Sequence, residues 1–440
     1  MVTGTLIMNF YHSVVPVPFT DTRGKFGTRL VTNACGISPS RMKVAIVLVS
    51  LLVSCYAQEP GCVLKNEGDL SPKKQGKFRA IRSDTPDQAA VRFDMAIDYA
   101  TAGNTEKALS LLEEALAETT WLDPAAEEAF RKISGCAAFQ RLVEKERKKY
   151  PPVSTSRIVH VIAEKDLIPE GIASDPVDGT LYISSIFHRK IVEISPQGTI
   201  SDFVPEAQDG LFGVLGIKVD TRDRSVWAAT AFRGESALVH LDRSGKILHQ
   251  YRPTKTGRHE FNDLVVTMKG DVLVTDDLDN AVYKLPHGGT QLVRIDLEKR
   301  QYPNGIALAD DEQSVYVAHA YGVVFMDLDG KGITDLQKPK DVSLAQIDGL
   351  YVRKGNLLAI QNAFGGNRIV ELRLAPDGKQ IVSGRLLEYR SANLDLPTTG
   401  TVYHDSFYYI VNSQIDHEEN GELKNPGTLA PIRIAALKLD

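Results

Sequence analysis

Two patterns of apolar residues divide the chain. Before about residue 150, apolar positions recur at helical spacing, as they do from Ala89 to Leu116. Beyond Pro151-Pro152, short alternating apolar runs are separated by turns rich in Asp, Gly and Pro. The alternation predicts antiparallel strands joined by hairpins. We therefore expect a small helical segment at residues 83–150 followed by an all-β domain at residues 151–440.

One sequence motif, called the repeated phrase below, is present in six copies in the β domain. Its first copy is an apolar run after Glu170-Gly171, a tight turn, and a second run that ends at Ser185. Five of the copies are spaced about 42 to 47 residues apart. Periods in the forties with four strands per unit are typical of a β-propeller. The first blade is predicted to have strands at residues 171–174, 180–185, 190–194 and 199–204.

The two ends of the β domain are expected to meet. Residues 157–162 form a strand-like run before the first copy, and residues 432–437 form another after the last. The first run lacks partners of its own, so we expect it to complete the sixth blade and leave no open sheet edge. The predicted fold is a six-bladed β-propeller preceded by a small α-helical domain.

The helical segment has the pattern of a helix hairpin. A cap at Asp84 with Pro86 in the first turn predicts one helix, Gly103-Asn104 ends it, and Thr105 starts a second. The pair resembles a single tetratricopeptide repeat, and a further helical stretch at 124–150 would cover its apolar face. A helical cap is the simpler interpretation, and a surface that contacts another protein is the alternative. Residues 58–82 have no apolar period and are predicted to be a linker.

The N-terminal region has the pattern of an export signal. A basic start at Met42-Lys43 is followed by a short apolar run, which predicts a signal peptide at residues 42–57. Residues 1–41 lack this order and are interpreted as a non-native or disordered extension, with Met1 and Met42 as alternative starts. We expect an exported protein, either periplasmic or extracellular, or anchored to a membrane by a lipid on Cys55, whose context resembles a bacterial lipobox. Cleavage after Ala57 is the alternative.

Composition and charge limit the classes of molecule that the protein is expected to bind. The 440 residues are 43% hydrophobic and 24% charged, which is an ordinary globular composition. The formal charge is -5, and there is no sustained basic tract, so we expect no nucleic-acid partner. Cys62 and Cys136 could pair in an oxidising compartment but do not make a disulfide scaffold.

Four of the repeated phrases carry a side-chain oxygen at the same phase, where the innermost strand of a blade begins. Inner strands crowd around the central channel, so these oxygens are predicted to converge. Two carboxylates and two amide carbonyls suit Ca²⁺, or Mg²⁺ or Mn²⁺ with retained water. The corresponding positions in blades two and six are Leu215 and a Thr at 398 or 399. The four predicted residues are Glu170, Asn262, Asn304 and Asp348.

The motifs around these four residues resemble those of the senescence marker protein/gluconolactonase/luciferin-regenerating-enzyme (regucalcin-like) family of six-bladed propellers. The resemblance implies that Glu170, Asn304 and Asp348 bind a divalent metal, most often Ca²⁺ with Zn²⁺ as a further alternative, and that Asn262 contacts water or substrate there. It also implies that the metal polarises a lactone carbonyl and that Asp348 is the general base. The expected activity is metal-dependent hydrolysis of a small-molecule lactone or related ester.

One residue departs from the family pattern. Sugar-lactonase members have an Arg that contacts substrate at the position of Glu260, so Glu260 is a candidate substrate contact and gluconolactone itself is not the expected substrate.

The alternative function is a non-catalytic, metal-stabilised propeller that serves as a binding module. Metal-free chemistry like that of strictosidine synthase is disfavoured by the four oxygens. His188 and His319 are expected to be packed or solvated loop residues.

Overall fold

The computed structural model describes residues 68–81, 84–118 and 121–440. The predicted extension, signal peptide, Cys55 and Cys62 lie outside these ranges. Cys136 lies inside them, is buried and is disulfide-bonded. Across the described ranges, no helix combines the length and the apolar character that crossing a membrane requires.

The β domain is a six-bladed propeller, as predicted, and each blade is a four-stranded antiparallel sheet. In the first blade the predicted strand bounds agree with the observed ones to within one residue. The chain enters the ring through β1 (Arg157–Ile162). From the centre outwards, the strands of the first three blades are β2 (Ile172–Ser174), β3 (Leu181–Ser185), β4 (Lys190–Ile194) and β5 (Ile200–Val204); β6 (Gly213–Val219), β7 (Val226–Phe232), β8 (Glu235–Leu241) and β9 (Ile247–Tyr251); and β10 (Phe261–Val266), β11 (Val272–Asp276), β12 (Ala281–Leu285) and β13 (Val293–Asp296).

The other three blades repeat this order, and blade six carries an inserted hairpin between its second and third strands. Their strands are β14 (Ile306–Leu308), β15 (Ser314–His319), β16 (Gly322–Asp327) and β17 (Thr334–Asp335); β18 (Ile347–Arg353), β19 (Asn356–Gln361), β20 (Arg368–Leu374) and β21 (Ile381–Tyr389); and β22 (Gly400–Tyr403), β23 (Ser406–Ile410), the hairpin β24 (Glu418–Glu419) and β25 (Glu422–Leu423), and β26 (Ile432–Lys438).

The ring closes as predicted. Strand β1 pairs antiparallel with β26, from Arg157 opposite Ala436 to Ile162 opposite Ile432. The sixth blade therefore takes its outermost strand from the start of the domain and its other three from the end. Because this pairing joins the two ends of the domain, the backbone groups at the edge of β26 are satisfied inside the ring.

Apolar layers between neighbouring blades form the core. The aromatic residues that repeat on the second strands are all buried. Tyr182 packs in one cluster with Ile217 of the next blade, and Trp227 packs in another with Leu264. Tyr316 and Tyr409 do the same between later blades.

Ahead of the ring, the described residues form four α-helices, here together called the helical segment: α1 (Pro72–Ala80), α2 (Gln88–Ala102), α3 (Thr105–Glu118) and α4 (Ala137–Lys149). Short 3-10 turns at Pro124–Ala126 and Glu128–Ile133 join α3 to α4. The predicted cap was misplaced by three residues, because the Asp87 carboxylate, rather than Asp84, accepts a hydrogen bond from the Ala90 amide at 3.3 Å, and Pro86 precedes the helix.

Helix α1 lies inside the segment that was predicted to be a linker. The absence of an apolar period explains this error, because Phe78 is the one residue of α1 that packs on the apolar cluster of the helices, and charged contacts add to it. Lys77 pairs with Asp94 at 2.6 Å and Lys74 pairs with Asp98 at 2.5 Å, both on α2. A sequence pattern that tracks only apolar residues does not detect a helix attached in this way.

The helices pack on blades four and five. Phe93 of α2 stacks on Phe364 with ring centroids 5.7 Å apart, and one apolar cluster joins the helices to Tyr321. The Asp87 carboxylate accepts hydrogen bonds from the Ser343 hydroxyl at 2.8 Å and from the Leu344 amide at 2.9 Å. The helical segment is therefore fixed on the face of the ring where the second strands end.

Candidate functional site

A cavity of about 130 Å³ lies at the centre of the ring, and the structure brings all four predicted oxygen residues and Glu260 to its wall. We call it the hub cavity. Glu170 and Asn304 lie two residues before their inner strands, and Asn262 and Asp348 are the second residues of theirs. The residues that line the hub cavity are Glu170, Leu215, Glu260, Asn262, Asp277, Tyr302, Asn304, His319, Ala320, Gln346, Ile347, Asp348, Asn362, Ala363, Leu396, Thr398, Ile415 and Asp416.

The glycines of the repeated phrase allow the inner strands to approach each other. A Cβ atom on Gly171 would lie 2.1 Å from the Leu215 carbonyl oxygen of the next blade. A Cβ atom on Gly305 would lie 2.3 Å from the carbonyl oxygen of Asp348. Real atoms cannot approach so closely, so any side chain here would push neighbouring blades apart. The glycines thus set the spacing at which the four oxygen residues meet.

Blade three has Asp263 where the other copies have glycine, and its buried carboxylate joins three blades. It accepts hydrogen bonds from the amide of Leu264 at 2.8 Å and from the amide of Ile306 in blade four at 3.3 Å. It also pairs with Lys218 of blade two at 3.1 Å. Asp263 is therefore a structural acid beside the site, with its oxygens already engaged.

Hydrogen bonds to the backbone of Glu170 hold this residue in place. The Ser184 hydroxyl accepts a hydrogen bond from the Glu170 amide at 3.1 Å. The hydroxyls of Thr398 and Thr399 donate to the Glu170 carbonyl at 2.9 and 2.6 Å. The bonds from the threonines tie blade one to blade six, and together these bonds fix the backbone from which the Glu170 side chain extends. Thr398 is the threonine of blade six that reaches the hub cavity.

Asp348 is held through one of its two carboxylate oxygens. The Asn362 side-chain amide donates a hydrogen bond to Asp348 Oδ2 and another to the Pro397 carbonyl at 2.8 Å. Asp348 Oδ1 is buried and has no hydrogen-bond partner. One oxygen thus orients the side chain, and the other is available to a ligand in the hub cavity.

Unpartnered oxygens converge on the hub cavity from four blades. Each of the four predicted residues contributes one buried oxygen without a hydrogen-bond partner: Glu170 Oε2, Asn262 Oδ1, Asn304 Oδ1 and Asp348 Oδ1. Leaving a buried acceptor unsatisfied costs about 1–3 kcal/mol, and more for a charged group, so native proteins rarely do so without a reason. A hard divalent cation accepts carboxylate and amide oxygens of this kind, so the residues fit such an ion.

The electrostatics of the two acids also favour a cation. Burial raises the pKa of Glu170 well above its ordinary value, and the charges of Asp348, Asp263 and Asp277 raise it further. Burial and, to a lesser extent, the charge of Asp263 raise the pKa of Asp348 to about 7, although the hydrogen bond from Asn362 opposes the shift. A cation between the two carboxyl groups would offset both causes, because it stabilises their charged forms.

Sequence reasoning missed Asp277. This acid is 5% exposed and lines the hub cavity, and its Oδ1 has no hydrogen-bond partner while its Oδ2 accepts from the Asn262 side-chain amide at 3.1 Å. The phase of the repeat marks only the starts of the inner strands, whereas Asp277 follows the end of the second strand β11, which returns to the same face. The doubled acid Asp276-Asp277 at a strand end was the available signal.

The two histidines occupy different places. His319 is buried at the wall of the hub cavity, and its Nε2 lies 3.1 Å from Asp335. His188 lies away from the hub cavity, beside Glu164 and Asp166. Both are packed against acids.

Two groups of three acidic or histidine side chains could hold a metal ion within the described ranges. They are Glu164, Asp166 and His188 on blade one, and His259, Asp276 and Asp279 on blade three. In the second group, His259 Nδ1 already lies 2.6 Å from Asp276 Oδ2 and its Nε2 lies 2.9 Å from the Lys255 carbonyl. The hub set differs from both, since amides supply half of its oxygens.

Comparison with known proteins gives a family match. The model of the SMP-30/Gluconolactonase/LRE-like region matches residues 168–386. No curated protein matches the sequence. Similar solved structures include a gluconolactonase from Xanthomonas campestris, with 18% identity and a TM-score of 0.46 over 66% of this chain and 98% of that chain. Virginiamycin B lyase from Staphylococcus aureus has 15% identity and a TM-score of 0.47 over 65% and 100%.

A PQQ-bound aldose sugar dehydrogenase from Streptomyces coelicolor is similar at 13% identity and a TM-score of 0.45, over 66% of this chain and 99% of that chain. The three similar structures have different activities, so they do not identify the reaction of this chain. The family match covers most of blades one to five, including all four predicted oxygen residues. Through residues 168–386, the chain belongs to the SMP-30/Gluconolactonase/LRE-like family.

Proposed function

We propose that the propeller is a divalent-metal-dependent hydrolase of a lactone or related ester, with Ca²⁺ as the expected ion. The observation that carries the proposal is the convergence of unpartnered buried oxygens from Glu170, Asn262, Asn304 and Asp348 on one cavity. Membership of a family that includes gluconolactonases supports the class of reaction.

Glu170, Asn304 and Asp348 are the proposed ligands, and Asn262 lies where it can contact a ligand, water or substrate. When bound, the cation would act as a Lewis acid on the ester carbonyl. The oxygen of a water molecule adds to the carbonyl carbon, the ring C–O bond breaks, and the ring oxygen takes a proton to leave a hydroxy acid.

Asp348 is the proposed general base. Its Oδ2 is held by Asn362, so that Oδ1 has a set direction in the hub cavity. A carboxylate held in this way can accept a proton from water without first reorganising. Glu170, whose backbone is fixed by Ser184 and Thr398, is proposed to serve as a ligand alone.

A panel of lactones and aryl esters assayed with and without chelator tests this proposal. We expect turnover that chelation abolishes and Ca²⁺ restores, and we expect Asp348→Ala to abolish turnover. Asp220→Asn is a suitable control, because Asp220 is a buried acid that pairs with Arg222 and does not line the hub cavity. Full activity of the Asp348→Ala variant would refute the role of Asp348.

The alternative function is a non-catalytic binding module whose metal holds the ring together. Glu260, in the place of the substrate-contacting Arg of sugar lactonases, is the observation that favours it. A protein that binds Ca²⁺ but leaves the whole panel unhydrolysed would support this alternative.

We also propose that the protein is exported and is either cleaved after the signal peptide or anchored by a lipid on Cys55. The disulfide of Cys136 supports export, because disulfides persist in oxidising compartments. Mass spectrometry of the mature N-terminus distinguishes a free N-terminus after residue 57 from a lipid-modified Cys55.

A further inference from the structure

The hub cavity has more carboxyl groups than one divalent ion can balance. Five acids line it, and no lysine or arginine of the described ranges does. A divalent cation bound by Glu170 and Asp348 would neutralise those two. The remaining acids on the wall are Glu260, Asp277 and Asp416.

Two of these acids are held side by side in blade three. The Asp277 amide donates a hydrogen bond to the Glu260 carbonyl at 3.0 Å, and the Glu260 amide donates to Asp276 Oδ1 at 3.1 Å. Both side chains line the hub cavity. The backbone of blade three therefore fixes two carboxyl groups next to each other on one wall.

Asp277 has an oxygen ready for a ligand. The residue is 5% exposed, and its Oδ1 has no hydrogen-bond partner, while its Oδ2 is engaged by Asn262. Glu260 also lines a neighbouring cavity, and Arg258 lines that cavity too. Arg258 does not line the hub cavity. The charge of Arg258 favours the charged form of Glu260, whereas no lysine or arginine of the described ranges lines the hub cavity beside Asp277.

We propose that Glu260 and Asp277 form a subsite for a cationic ammonium group carried by the substrate. This inference rests on the proposed function and deepens it, since it makes the substrate an amino-substituted lactone or ester. An ammonium group offers three N–H donors, and carboxylate acceptors in a buried site discriminate strongly against an analogue that lacks the charge. A sugar lactone has hydroxyl groups and no such cation.

The test compares an amino-substituted five-membered lactone with the hydroxyl-substituted lactone of the same ring. We expect the wild-type protein to prefer the amino lactone in kcat/KM by roughly tenfold or more, since hydrogen bonds to charged groups have about this effect. Asp277→Asn and Glu260→Gln should each reduce this preference toward one. Glu235→Gln removes an exposed acid that pairs with Arg252 on the surface and should leave the preference unchanged.

A binding measurement separates this inference from the proposed function. Calorimetric titration with the matching amino-substituted lactam should show binding to the wild-type protein and at least tenfold weaker binding to Asp277→Asn. Hydrolysis of both lactones without preference would overturn the ammonium subsite and leave the hydrolase intact. Lactam binding that depends on Asp277, in a protein that hydrolyses no lactone, would support the subsite and overturn the hydrolase. A second bound metal ion that Asp277→Asn removes would overturn the ammonium assignment.

Discussion

Glu170 and Asp348 are oriented by contacts that exist before any ligand binds. Hydrogen bonds from Thr398 and Thr399 fix the backbone of Glu170, and Asn362 fixes one oxygen of Asp348. Sequence reasoning found both acids because they share a phase in the repeat. It missed Asp277, since that acid is brought to the same wall by the return of a second strand, which the phase of the first strands does not reveal.

The raised pKa values of these acids predict how stability depends on pH. In the metal-free protein, the folded pKa of Asp348 is about 7, against an ordinary value of 3.8, and that of Glu170 is also raised. The folded state therefore binds protons that the unfolded state has lost, and this stabilisation is present below about pH 4 and disappears as the pH rises past 7. We expect metal-free protein to lose stability over this range.

Thermal unfolding with and without Ca²⁺ checks this expectation. At pH 7.5, saturating Ca²⁺ should raise Tm, and an ion at 100 times its Kd would stabilise the fold by about 2.7 kcal/mol. At pH 5 the effect should be smaller, because protons compete for the same carboxyl groups. A Ca²⁺ shift of the same size in the Asp348→Asn variant would contradict the assignment of Asp348 as a ligand.

At the scale of elements, the blades could be predicted closely and the helices only in part. The alternation of apolar residues and the tight turns located the strands of the first blade to within one residue, and the closing strand at its observed bounds. Helix α1 was missed because it has no apolar period: Phe78 is its one residue that packs on the apolar cluster of the helices, and ion pairs to Asp94 and Asp98 add to this contact. The tetratricopeptide-like character of the helices stays a prediction.

The glycines between inner strands predict that a change in blade packing also changes Ca²⁺ binding at the hub cavity. In Gly305→Ala, the new Cβ would meet the Asp348 carbonyl at 2.3 Å, so blades four and five must separate. We expect a loss of about 1–3 kcal/mol in the free energy of unfolding, which is typical of overpacking, together with weaker Ca²⁺ binding. Gly427→Ala is the matched control, because no atom lies within 4 Å of its added Cβ. Denaturant unfolding should separate the two, and equal stabilities would contradict the close approach.

At the scale of the whole molecule, the helical segment and the propeller form one packed unit. Asp87 caps α2 and also accepts hydrogen bonds from Ser343 and Leu344, more than 250 residues away. A sequence pattern can indicate the cap but cannot indicate such a distant partner. The helices stand beside the hub cavity, whose wall includes Tyr302 and Ala320 of blade four.

The contact of Asp87 predicts that the helices stabilise the ring. Asp87→Ala removes the cap and leaves the Ser343 hydroxyl and the Leu344 amide buried without their acceptor, so we expect a loss of about 2 kcal/mol or more in stability. Glu113→Ala, an exposed position on α3, should change stability little. Limited proteolysis should cut near residue 83 faster in the Asp87→Ala variant, and unchanged proteolysis would show that the helices are held by other contacts.

The central claim is that side-chain oxygens from four blades surround one divalent cation at the centre of the ring, with Glu170, Asn304 and Asp348 as its ligands. Calorimetric titration of metal-free protein with Ca²⁺ tests it most directly, alongside the Glu170→Gln/Asp348→Asn double variant, which preserves side-chain size. We predict one high-affinity ion per chain for the wild-type protein and none for the double variant. Absence of binding to the wild-type protein, or undiminished binding to the double variant, would contradict the claim.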